Sequence, residues 1–68
     1  MKIIILVNEP IFKKYIHENA KSWGYNKRTA SYEVVNVHDG KIYLSIYNAN
    51  TVCRIDVEGA DDEKTNIL

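Results

Sequence analysis

The sequence predicts an α+β domain of two layers, in the order β-α-β-β-β, with one helix packed on one face of a mostly antiparallel four-stranded sheet. Three observations carry this expectation. An Asp39-Gly40 pair sits between apolar residues that alternate on both sides, which is a strong local hairpin signal. Apolar residues recur at three- and four-residue steps from Phe12 to Trp23 and stop at Gly24. Ile3 to Val7 is an unbroken aliphatic run.

Taken in order, Lys2 to Val7 is predicted as a strand that lacks alternation, so both of its faces want cover. Asn8 suits a helix N-cap, Glu9 complements the helix dipole, and Pro10 is tolerated in a first turn. The stripe Phe12, Tyr15, Ile16, Ala20 and Trp23 then predicts a helix from Glu9 to Trp23, with Gly24 as its left-handed stop. Asn26 to Ala30 is a short basic connector. Three strands follow between Ser31 and Glu58, joined by turns at Asp39-Gly40 and Ala49-Asn50. Residues 1–60 make the domain and 61–68 an acidic tail expected to fray.

The hairpin register follows from the turns. Closing the first at Asp39-Gly40 pairs Val37 with Ile42, Val35 with Leu44 and Glu33 with Ile46. The other face receives Asn36 with Tyr43, Val34 with Ser45 and Tyr32 with Tyr47. Closing the second at Ala49-Asn50 pairs Ile46 with Cys53, Leu44 with Ile55 and Ile42 with Val57. Both turns place Val35, Val37, Ile42, Leu44, Ile46, Cys53, Ile55 and Val57 on one face, which is expected to lie under the helix. The first strand is expected to run parallel to the second and fourth, at either sheet edge.

A chain of 68 residues is one domain, and 46% apolar content separates it from disordered sequences. A lone Cys53, expected to be buried, excludes an intrachain disulfide and fits a reducing compartment. The longest apolar run is too short to span a membrane or serve as a signal peptide, so a cytoplasmic protein is expected. The formal charge is zero but uneven. Basic residues gather between Lys13 and Arg28, and acids follow Cys53.

One helix can cover only one sheet face. The uncovered face would show Tyr32, Val34, Tyr43, Tyr47, Val52 and Arg54, a tyrosine-rich surface suited to a protein partner or a second copy of the chain. The leading expectation is therefore a non-enzymatic protein-binding module: a homodimer, or an inhibitor or adaptor of a larger protein. Small phage-encoded inhibitors share this size and single-helix layout, an analogy of layout without a motif. The alternative is a nucleic-acid binder using Lys13, Lys14, His17, Lys21, Lys27 and Arg28, although the pI of 6.7 is low for that role. A third possibility has Asp56, Glu58, Asp61, Asp62 and Glu63 imitating a phosphate backbone.

Chemistry is sparsely represented. His38 and Asp39 share a hairpin tip, His17 lies on the solvated side of the expected helix, and Cys53 has no basic neighbour on its face. The two histidines and one cysteine lack metal-ligand spacing, and no glycine-rich phosphate loop is present. No catalytic residue, metal or cofactor is expected.

Overall fold

The computed structural model describes residues 1–59. Six strands run in chain order: β1 (Lys2–Asn8), β2 (Phe12–His17), β3 (Ala20–Asn26), β4 (Ser31–His38), β5 (Lys41–Asn48) and β6 (Val52–Glu58). They form two three-stranded sheets, ordered β2-β1-β6 and β3-β4-β5, and every pairing is antiparallel. The expected α+β layout is overturned, because no helix occurs among the described residues and the fold is all-β. The expected tail at 61–68, with Asp61, Asp62 and Glu63, lies outside the described residues.

The segment expected to be a helix is instead β2, a turn at Glu18-Asn19, and β3. Phe12, Tyr15, Ile16, Trp23 and Tyr25 are aromatic or β-branched and favour the pleated conformation. Their helical spacing is coincidental: Ile16 pairs across from Ile4 while Tyr15, on the opposite face, pairs with Ile5. Pro10 belongs to the tight β1–β2 connection, where the Glu9 N–H donates to the Ile11 carbonyl at 3.1 Å. Gly24 lies within β3 opposite Glu33 rather than at a helix stop.

The hairpin at Asp39-Gly40 matches the sequence reading pair by pair, from His38↔Lys41 to Tyr32↔Tyr47. Both turn residues have positive φ, 52° at Asp39 and 74° at Gly40, as a two-residue primed turn needs. The next turn departs from expectation. After Asn48 the chain leaves this sheet, and β6 pairs with β1 instead of β5. The first strand is thus the centre of its own sheet and antiparallel to both neighbours, not parallel to later strands.

The sheets face each other through their central strands. Ile3, Ile5 and Val7 of β1 meet Val34 of β4 and Ala20 of β3, all at most 3% exposed, with Tyr47, Val52 and Ile55 packed at the margin. Backbone bonds join Met1 and Ala20 in both directions, at 2.9 and 3.0 Å, tying the sheets at one corner. At the far crossing the Asn8 N–H donates to the Thr51 carbonyl at 2.8 Å.

Candidate functional site

The aliphatic face read as core points outward. Across β4 and β5, Val37 opposes Ile42, Val35 opposes Leu44, and Glu33 opposes Ile46. Strand alternation places these six side chains on the face opposite buried Val34. Ile42, Leu44 and Ile46 are 71%, 54% and 59% exposed, and Val35 and Val37 beside them are half-buried. On the β3 side, Ser22 and Gly24 continue the face with little or no side chain. The Asn26 side-chain amide donates to the Glu33 carboxylate at 3.1 Å, forming a polar rim. The result is a contiguous aliphatic patch with one charged margin.

The free edge of β5 borders this patch. In a two-residue hairpin the closing pair, His38 with Lys41, is hydrogen-bonded, and bonded pairs then alternate along the ladder. Tyr43, Ser45 and Tyr47 therefore bond to β4, while the backbone groups of Ile42, Leu44 and Ile46 point away from it. Among the described residues no strand pairs with that edge.

The tyrosine-bearing face turns inward, toward the other sheet. Val34 is fully buried; Tyr32, Tyr47 and Val52 are half-buried; Tyr43 is exposed at the rim. Arg54 lies on the outer face of the other sheet, where its Nε donates to Asp56 at 3.0 Å. The premise of a helix-free tyrosine surface thus disappears with the helix. Inside, the Tyr47 hydroxyl lies 2.6 Å from His17 Nε2, and His17 Nδ1 lies 3.1 Å from Asn36 Oδ1. The Asn36 amide nitrogen donates to the Val34 carbonyl at 3.4 Å and to Ser45 Oγ at 3.2 Å, so Oδ1 is the acceptor facing His17. In that arrangement His17 Nδ1 donates to Asn36 and Nε2 accepts a hydrogen bond from the Tyr47 hydroxyl. The Tyr47 ring packs on Tyr15 at 5.4 Å, and burial, followed by charge repulsion from Tyr15, raises the Tyr47 hydroxyl pKa above 10.0.

Cys53 corrects a second expectation: it is exposed. Between Leu6↔Arg54 and Val7↔Val52 the β1–β6 register shifts, which leaves Cys53 as the unpaired residue of a bulge. Ile55 and Val57, expected on the same face as Leu44 and Ile42, line the inner side of the other sheet opposite Ile5 and Ile3.

The candidate basic residues do not share one helical face. Lys13 and Lys14 point to opposite sides of β2, His17 is committed to the inner network, Lys21 falls at the β3 register shift, and Lys27 and Arg28 lie in the β3–β4 turn. Beside that turn, Trp23 and Tyr25 are 40% and 53% exposed and flank Tyr32, with ring centroids 6.4 and 5.1 Å from it. Asp56 lies in the Arg54 ion pair and Glu58 at the end of β6. Among the described residues no His, Cys, Asp or Glu cluster is suited to a metal, and no helix is long and apolar enough to cross a membrane.

Sequence reasoning found the members of the aliphatic face but assigned them to the core. One signal pointed outward: Glu33 sits on that face, and a carboxylate under a helix would need a buried partner. Comparison with protein-family models, curated proteins and solved structures finds no match.

Proposed function

We propose that this chain is a small protein-binding module that docks a partner protein on the outer face of the β3-β4-β5 sheet. The observation that supports it is the exposure of Ile42, Leu44 and Ile46 in one row beside Val35 and Val37. Scattered exposed aliphatics are ordinary on a monomer, but a contiguous row with a polar margin is how interfaces are built. Burying each of these side chains on contact contributes roughly 1–2 kcal/mol, given that full burial contributes about 1.5–3. Glu33, at the rim, fits a partner with a basic group beside an apolar ridge. The reading is non-enzymatic, and a cytoplasmic site of action accords with the exposed thiol of Cys53.

Val37→Lys and Ile46→Lys should each abolish capture of a partner from nuclease-treated host lysate, while Lys14→Ala leaves it intact. Equal capture by all of these chains would retire the face.

A second reading rests on the half-exposed run Trp23, Tyr32 and Tyr25, with Lys27 and Arg28 just beyond it. Aromatic faces beside cations suit single-stranded nucleic acid. Binding of a fluorescent oligonucleotide that weakens steeply with salt and is lost in Trp23→Ala supports it. A flat salt response removes it.

A further inference from the structure

Among the described residues four strands bound the two sheets, and three of them carry features that discourage edge pairing. β2 presents Lys13 and Lys14, β3 has Lys21 at a register shift, and β6 carries Arg54, Asp56 and Glu58 with the Cys53 bulge beside them. β5 differs. From Ile42 to Asn48 it contains no charge, proline or glycine, and its register with β4 is unbroken. The outward backbone groups belong to Ile42, Leu44 and Ile46, the residues whose side chains are most exposed on the face.

We infer that β5 is the seam of a homodimer, two copies pairing their β5 strands antiparallel across a twofold axis at Leu44. The occupant follows from the sequence of the strand itself. With Leu44 on the axis, outward backbone groups meet outward backbone groups, giving about six N–H···O bonds. Ile42 then opposes Ile46 of the second copy, Leu44 opposes Leu44, and Tyr43 opposes Ser45. No like charges face each other, and Lys41 falls opposite Tyr47. The strand is thus self-complementary in shape, polarity and hydrogen-bond phase, as an isologous contact requires. The two sheets become one of six strands, and their outer aliphatic patches merge.

Strand pairing of this length buries less than a standard interface, so the dimer forms in the roughly micromolar range. The seam uses backbone atoms of the edge, so it holds whether or not the face docks a foreign protein.

Sedimentation velocity of the full chain, from about 1 to about 500 µM, is expected to show monomer passing to dimer. A chain ligated chemically at Cys53 and N-methylated at Leu44 loses the central donors. It should weaken at least about tenfold. Val35→Lys alters the face only and should still dimerise. In a Cys53→Ser background, a short bifunctional maleimide should cross-link Leu44→Cys to itself. Ile42→Cys should cross-link only when mixed with Ile46→Cys, because two copies of residue 42 lie roughly 13 Å apart along the strands. A monomer at every concentration, undiminished association of the N-methylated chain, or self-cross-linking of Ile42→Cys would each overturn the proposal. Association lost in Val35→Lys but kept on N-methylation would assign the contact to the face and overturn it as well.

Discussion

The two faces of the β3-β4-β5 sheet are both apolar, yet only one is core. The inner face carries Val34 at no exposure, among isoleucines of β1, and its polar atoms are answered by His17, Asn36 and Ser45. The outer face carries Leu44 and Ile46, each more than half exposed, with Glu33 at its rim. The inward face is the one with a side-chain link across the gap, where Tyr47 and Asn36 both meet His17, not the one with more aliphatic carbon. Polar satisfaction decides between two apolar faces here, because an unpaired buried polar group costs about 1–3 kcal/mol.

Substitutions separate the faces in order of effect. Ile5→Ala, at the centre of the buried cluster, should destabilise by about 2–4 kcal/mol, read as a lower midpoint in urea. Val34→Ala should cost about 1–2 kcal/mol, whereas Leu44→Ala should change stability by less than about 0.5 kcal/mol. Equal losses at Val34 and Leu44 would break the comparison.

Tyr47→Phe tests the inner network and should cost about 1 kcal/mol. It also bears on pH. The folded-state pKa of Tyr47 is raised, so its contribution is complete below the unfolded value near 10 and declines as pH rises through the folded value. Unfolding midpoints measured across alkaline pH should fall less steeply in Tyr47→Phe than in the parent chain; identical slopes would remove the effect.

One substitution is expected to have the opposite sign. A Cβ at Gly24 meets nothing within 4 Å, and its backbone lies outside the left-handed region. Gly24→Thr should therefore stabilise by roughly 0.5–1 kcal/mol. A helix-stop glycine would respond with a loss.

What the sequence made legible was local. The Asp39-Gly40 turn fixes its own register, because positive φ and alternation on both sides leave one pairing, and β1 is recognisable from five consecutive aliphatics. What failed depended on distant partners. Phe12 to Trp23 satisfies a helical stripe, and only pairing with β1 and β4 makes it two strands. The turn after Asn48 resembles a hairpin, and only the chance for β6 to pair with β1 sends it to the other sheet. The β4 and β5 members of the outer face were identified but turned inside out, and Cys53, Ile55 and Val57 were added to it wrongly, since alternation reports that two faces differ and not which is wet.

The most direct measurement is relaxation of methyl protons by a soluble paramagnetic agent, on the dilute chain below the dimer range. Strong relaxation of Ile42, Leu44 and Ile46 with protected Ile5 and Val34 is the expected result. Protected Leu44 and Ile46 beside an exposed Val34 would contradict it, and the docking face would have to be sought on the tyrosine side.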